Sequence, residues 1–289
     1  MVKKRISGIG FLGLVVFLAS AIALSEMPGR KPLPTHTPNL KIMRSAHRGV
    51  SAYAPENTLP AIQKAIDMGY DYVEMDIHYT KDGVPVLMHD DYLNRTTNGF
   101  GHVSAHSLAE LKKLDAGSRS GKEFKGTSIP TFEEALQLMQ GKIKLYLDQK
   151  QPTRPELIRL LKQYGFYPDN LVVVHGAGSI PGFLKYEPQA PVMPMLNNSG
   201  QVEQLLKQFP STVAFDTTCS ELTPEMVLEA HRRGIMIFTD ALGKSNPKCM
   251  RKPIEYGADV IQIDNPKLFS SVLDQMRKEQ ANNNASDKP

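Results

Sequence analysis

The stretch from Asp71 to Asp91 constrains this chain more than any other part of it. Two short apolar runs, Asp71–His78 and Val84–Met88, flank the polar turn Thr80-Lys81-Asp82-Gly83, with Glu74, Asp76 and His89 placed in or just beyond them. Side chains two apart on a strand share a face, so Glu74 and Asp76 project together. Too few residues separate the runs for a parallel crossover, and an antiparallel hairpin with Asp-Gly in its turn is predicted. A two-residue turn at Lys81-Asp82 or Asp82-Gly83 sets His89 opposite Glu74 or Asp76 respectively, on their face either way. The apolar neighbours Val73, Met75 and Ile77 mark a buried strand, and acids on a buried strand need partners. Two carboxylates and an imidazole on one spot can hold a hard cation and move a proton beside it.

From Ile42 onward, β-rich and helical segments alternate. Strands are predicted at 42–46, 71–78, 84–88, 143–147, 171–174, 192–195, 212–215, 235–239 and 260–263. Helix starts are marked by Thr58-Leu59-Pro60, Ser107 with Glu110, Thr131 with Glu134, Thr153-Arg154-Pro155-Glu156, and Thr223-Pro224-Glu225. Setting aside the hairpin return leaves eight strands, the number that closes an α/β TIM-like (β/α)8 barrel, here with a hairpin-like return after the second strand. An open doubly wound sheet is the competing architecture, but no glycine-rich phosphate loop follows the first strand. The barrel is assigned to 42–276. A polar, Asn-rich stretch at 277–289 is predicted to be a disordered tail.

The first residues have the pattern of an export segment. Lys3, Lys4 and Arg5 precede an apolar run from Ile6 to Leu24, and Ala21-Ile22-Ala23 fits a small-x-small cleavage site. The run is also long enough to cross a bilayer as an uncleaved anchor, so 1–25 is read as a signal peptide or N-terminal membrane anchor and 26–41 as a Pro/Gly-rich tether. Either reading places the barrel outside the cytoplasm, periplasmic or extracellular, with membrane association through the apolar segment as one outcome. Three of the formal +4 charges belong to the leader, and no acid precedes Glu26. The remainder is near neutral, so a nucleic-acid-binding surface is not indicated. Cys219 and Cys249 have no metal-binding spacing, and their pairing stays open at this level.

Barrel chemistry sits at the carboxyl ends of strands. Those ends carry His47-Arg48-Gly49 followed by Pro55-Glu56-Asn57-Thr58, then Glu74, Asp76 and His89, then Asp148 and Lys150 on one face. Acids, imidazoles, an arginine and a lysine together are the inventory for metal-assisted attack on a phosphate ester.

The ordered series His47-Arg48-Gly49, Pro55-Glu56-Asn57-Thr58, Glu74-x-Asp76, Thr80-Lys81-Asp82-Gly83, His89-Asp90, Arg95-Thr96-Thr97-Asn98-Gly99, Ile129-Pro130-Thr131 and Asp148-x-Lys150 resembles the glycerophosphodiester phosphodiesterase family. The likeness is close from Ile42 to Lys150 and looser to Ile263-Asp264-Asn265-Pro266, which is similar to the family's closing Thr-Asp-x-Pro. It implies a TIM-like barrel, one divalent cation (Ca²⁺ or Mg²⁺), and hydrolysis of a small glycerophosphodiester to glycerol 3-phosphate and an alcohol. Carried over residue by residue, His47 and His89 are the acid–base pair, and Glu74, Asp76 and Asp148 hold the metal. Arg48, Lys150, Glu56 and Asn57 bind the phosphate or the rest of the substrate. Asn57 alone also reads as a helix N-cap. Asp148 stands where the family usually has Glu, Phe238-Thr239-Asp240-Ala241 replaces Trp-Thr-Val-Asn, and His175-Gly176 replaces Ser-Phe. A phospholipase C/D-like enzyme acting on intact lipid and a non-catalytic exported barrel are the alternatives.

Overall fold

The computed structural model describes residues 38, 40–174, 179–243 and 246–286. The leader at 1–25, most of the tether and His175 lie outside the described residues. Nine strands follow: β1 (Met43–Ala46), β2 (Tyr72–Tyr79), β3 (Pro85–Leu87), β4 (Lys144–Gln149), β5 (Leu171–Val174), β6 (Val192–Met193), β7 (Ala214–Thr217), β8 (Met236–Ala241) and β9 (Val260–Ile263). Eight of them are parallel neighbours in the order β6-β5-β4-β2-β1-β9-β8-β7, and β3 pairs antiparallel with β2. Parallel bridges from Val192 to Thr212 and from Met195 to Asp216 bring β6 beside β7. These strands form the predicted (β/α)8 barrel with its hairpin return.

Alternation along the strands sorts the side chains into two cores. Tyr72, Tyr146, Val172, Met193, Ala214, Phe238 and Val260, contributed by strands alone, form an apolar plug. Its centre is aromatic, with Phe238 edge-on to Tyr72 and Tyr146 at ring-centroid separations of 5.2 and 5.9 Å. The opposite face of the same strands, including Val73, Met75, Ile77, Leu145 and Leu147, packs under helical Ile62, Ala65, Phe132, Leu136 and Leu161 in the main core. Covered on both faces, β2 is buried along its whole length. Two residues above the plug on the same strands come Glu74, Asp148, Asp216 and Asp240, so acids sit on an apolar floor.

Most of the predicted helix starts are found. Ser107 with Glu110 and Thr131 with Glu134 both form reciprocal capping boxes, and Thr223 accepts from the Met226 N–H. The start at Thr153-Arg154-Pro155-Glu156 is found too, with Pro155 opening the helix Pro155–Gln163 after Arg154, while the Thr153 hydroxyl donates to Gln149 Oε1 at 2.9 Å. The last helix runs Pro266–Ser286, so the stretch expected as a tail is helical as far as Ser286; the buried Phe269, Val272 and Met276 lie in the part of this helix assigned to the barrel. Among the described residues, no helix is long and apolar enough to cross a membrane.

The β2–β3 hairpin forms, but its register is neither of those predicted. Ile77 pairs with Leu87, His78 with Val86 and Tyr79 with Pro85. The Thr80 N–H donates to Val84 O, so Lys81, Asp82 and Gly83 make a three-residue loop, with Gly83 at φ 86°. That extra loop residue, which glycine's left-handed conformation permits, shifts the return strand by one. The ladder ends at Leu87, and His89 is delivered from the loop beyond it.

Cys219 and Cys249 form a disulfide with Cα atoms 5.4 Å apart, tying the loop after β7 to the helix Pro247–Tyr256. By the chain-entropy account, a bridge across this 30-residue separation is worth about 3–4 kcal/mol. Cys249→Ser is therefore expected to lower the unfolding free energy by about 2–4 kcal/mol in urea titrations. Adding dithiothreitol to the parent protein should have a similar effect, and a variant indistinguishable from oxidised parent would contradict the bridge.

Candidate active site

The site begins at the turn after β1. Arg48 and Asn57 both have φ 54°, a left-handed conformation uncommon for non-glycine residues, and Gly49 follows at φ 79°. A Cβ at Gly49 would lie 2.6 Å from the Ala61 Cβ, so the turn is pressed against the helix Leu59–Asp67 and only glycine fits. Within this fold-back the Asn57 N–H donates to Arg48 O at 2.9 Å, and the Arg48 N–H donates to Glu74 Oε2 at 2.8 Å. Such clustered strain is a mark of functional sites.

Glu74 and Asp76 project together, as period two predicts, and Asp148 joins them, each offering an oxygen within 4.8 Å of the others. Parallel pairing aligns Asp76 with Asp148 in register. Glu74 and Asp76 are almost wholly buried. Lys150 Nζ lies 2.5 Å from Asp148 Oδ2 and 2.9 Å from Asp76 Oδ1, and Arg48 Nε lies 3.4 Å from Asp76 Oδ2. Three carboxylates thus face two cationic side chains. Burial, then the charges of Asp76 and Asp148, push the Glu74 carboxyl well above the usual range. Burial disfavours the Lys150 ammonium, but Asp76 and Asp148 outweigh it and raise its pKa.

A hard divalent cation suits this set. Asp148 Oδ1 is buried without a hydrogen-bond partner, a condition that normally costs about 1–3 kcal/mol. The donors are all carboxylate oxygens, the chemistry that Ca²⁺ and Mg²⁺ take.

Each predicted acid–base histidine rests on its own carboxylate. His47 Nδ1 is 2.6 Å from Asp264 Oδ1, and His89 Nδ1 is 2.6 Å from Asp90 Oδ1. Burial would raise the Asp264 pKa, but its hydrogen bond and charge pairing with His47 hold it below the usual value. Neither carboxylate was assigned this role from sequence. Asp264 was readable in principle: barrel closure sets β1 beside β9, with Ala46 opposite Ile263, so His47 and Asp264 are the next pair. His78 is buried, and its Nε2 lies 3.2 Å from His89 O.

Two of the residues assigned to substrate have other partners. Asn57 does not cap the helix; its Nδ2 donates to Asp76 Oδ2 at 2.7 Å and its Oδ1 accepts from the Asp76 N–H at 3.2 Å, so it fixes that carboxylate. Glu56 accepts from Arg48 Nη1 at 3.0 Å and from both Nη atoms of Arg95 at 2.7 and 2.8 Å. Those contacts hold its carboxyl below the usual range despite burial and set it between the two arginines. A cavity of about 510 Å³ opens beside this cluster, lined by His47, Arg48, Tyr53, Glu56, Asp264 and Lys267 among others.

Residues 47–178 match the model of the glycerophosphoryl diester phosphodiesterase family. A glycerophosphodiester phosphodiesterase of Caldanaerobacter subterraneus subsp. tengcongensis is 31% identical over 81% of this chain and 98% of its own length. The chain belongs to that family. Among solved structures, a glycerophosphodiester phosphodiesterase from Agrobacterium tumefaciens superposes with a TM-score of 0.72 at 26% identity, covering 80% of this chain and 99% of the other. An Oleispira antarctica phosphodiesterase solved with the product sn-glycerol 3-phosphate superposes at 0.68 with 27% identity over 80% and 96% of the two chains. The family's enzymes and their TIM-like fold account for the architecture found here.

Across the barrel mouth from the three acids stands a second acid pair. Burial, then the neighbouring charge of Asp240, pushes the Asp216 carboxyl up to about 7, while Tyr146 donates to its Oδ2 at 3.4 Å. Asp216 binds its proton more tightly folded than unfolded, so its contribution to stability declines as pH rises from about 4 towards 7. Asp216→Asn is expected to be near neutral at pH 4.5. At pH 8 in EDTA it should stabilise by about 1–3 kcal/mol, read from paired urea titrations.

Proposed function

We propose that this family member hydrolyses small glycerophosphodiesters to glycerol 3-phosphate and an alcohol, with His47 and His89 as its acid–base pair. The observation that carries the reading is the meeting of three carboxylates, two cationic side chains and two carboxylate-anchored imidazoles at the ends of β1, β2, β4 and the β3 loop. Arg48, with its planar fork, and Lys150, a point charge, bind the anionic phosphate. Anchoring each imidazole through Nδ1 leaves Nε2 to exchange protons with substrate. One takes the proton from the attacking oxygen as its bond to phosphorus forms. The other gives a proton to the alcohol oxygen as the phosphorus–oxygen bond breaks. Glu74, Asp76 and Asp148 would hold a divalent cation, Ca²⁺ or Mg²⁺, whose chemistry when bound is to withdraw charge from the non-bridging oxygens as a Lewis acid. Asn57 keeps Asp76 aimed, and Asp264 and Asp90 keep the imidazoles aimed.

Export of the barrel is part of the same proposal. The basic, apolar leader supports it, as does the disulfide, which persists in oxidising compartments. Mass spectrometry of the mature N-terminus distinguishes a cleaved leader from a retained membrane anchor.

The substrate reading is tested by glycerol 3-phosphate release from glycerophosphocholine and related headgroups, compared with phospholipid micelles, with and without EDTA. Metal-dependent release from the water-soluble diesters is expected. Release from the lipid alone would overturn the substrate class, and rates equal to buffer with every added cation would favour a non-catalytic barrel.

A further inference from the structure

The last backbone bond of the hairpin, from the Met88 N–H to Asp76 O at 3.1 Å, stops one residue short of His89, whose imidazole lies past the end of β3. Arg48 likewise belongs to no regular element; it sits in a left-handed turn, with its Nε 3.4 Å from Asp76 Oδ2. The structure joins the two through one side chain. Arg95 Nε donates to Asp90 Oδ2 at 2.6 Å and its Nη2 to Asp90 Oδ1 at 2.9 Å. On its other edge, Nη1 and Nη2 donate to Glu56 Oε2 and Oε1 at 2.7 and 2.8 Å. Asp90 in turn holds His89 Nδ1, and Glu56 holds Arg48 Nη1. A continuous chain of charge-assisted hydrogen bonds therefore runs His89, Asp90, Arg95, Glu56, Arg48.

We propose that Arg95 is a positioning residue for this reaction, holding the imidazole of His89 at a fixed place relative to the phosphate-binding Arg48; the proposal rests on the roles given to those two residues above. Two properties of the guanidinium suit it. Its planar fork meets two carboxylates with two N–H groups each, a doubly bidentate fit that the single ammonium of a lysine cannot reproduce. Its charge also offsets Asp90 and Glu56, two anions that would otherwise repel an incoming phosphodiester. Hydrogen bonding to Arg95 is the largest influence on Asp90, holding its carboxyl far below the usual range, and the same bonds keep Glu56 ionised against its burial. The small core of Val86, Met88, Leu93, Val103, Leu111, Ala116 and Ile129 supports the segment that carries Arg95. Its loops are anchored there independently of the guanidinium.

Arg95→Ala and Arg95→Lys are to be measured beside His89→Asn with glycerophosphocholine. Arg95→Ala is expected to lower kcat about 30–300-fold and raise KM about 3–10-fold, because both ends of the chain are released. Arg95→Lys should recover less than a tenth of parental kcat, with a thermal midpoint like that of the parent. The Arg95 side chain is 45% exposed, so solution guanidinium can reach its place. About 20 mM guanidinium should restore kcat of Arg95→Ala at least tenfold, while the same concentration of sodium or ammonium chloride should not. Parental kinetics in Arg95→Ala, parental rates in Arg95→Lys, or loss without guanidinium rescue would each overturn the proposal. An inactive His89→Asn beside an unchanged Arg95→Ala sinks the Arg95 proposal alone. An active His89→Asn sinks the assignment of His89, and the Arg95 proposal with it.

Discussion

His89→Asn is expected to lower kcat for glycerophosphodiester hydrolysis by about 10²–10⁴-fold, the range that a positioned acid or base contributes. His47→Asn should behave alike. Each imidazole spends Nδ1 on a carboxylate at 2.6 Å and keeps Nε2 for substrate, so asparagine retains a polar contact to that carboxylate but can no longer carry the proton. The His89 side chain is 34% exposed and belongs to no core cluster, so the thermal midpoint of the variant should match that of the parent. Full steady-state kinetics with a parallel melt check this. A change of less than about fivefold in either variant would remove that residue from the reaction.

Glu74→Gln is expected to move activity and stability in opposite directions. The variant loses a ligand charge at the three-carboxylate cluster, and activity with added Ca²⁺ or Mg²⁺ should fall by more than about 10²-fold. The metal-free protein should nevertheless gain about 1–3 kcal/mol. Glu74 is buried beside two other acids, and its carboxyl is pushed well up by burial and by those charges, whereas the isosteric amide keeps an oxygen to accept the Arg48 N–H. Urea titration in EDTA, alongside the activity assay, gives both signs in one experiment. Loss of stability with activity intact would mean that the cluster is a structural ion-pair network.

Much of this was legible in the residues, and the failures have definite causes. Period-two spacing placed Glu74 beside Asp76 and Asp148 beside Lys150 because those pairs lie on continuous buried strands, where alternation is enforced by the core. His89 was placed near them for a reason that the structure replaces. The hairpin register was read from a two-residue turn, but Gly83 permits a three-residue loop, and the imidazole arrives from a loop held by Asp90. The capping reading of Asn57 came from its position before Thr58, and a local rule cannot see Asp76 across the barrel. Asp264 and Arg95 act through tertiary contacts, the first with a partner 217 residues away, the second by bridging two carboxylates 34 residues apart in sequence. The disulfide likewise needed coordinates, since spacing alone does not bring two Cα atoms to 5.4 Å.

The central claim is that Glu74, Asp76 and Asp148 surround one ion on which the activity depends. Calorimetric titration of the chelator-stripped protein with Ca²⁺ and with Mn²⁺, followed at each point by the rate of glycerol 3-phosphate release, tests it most directly. One ion per chain is predicted, with activity rising in proportion to occupancy and both signals lost together in Asp148→Asn. Full activity in the stripped protein, or an ion that binds Asp148→Asn as tightly as the parent, would contradict it.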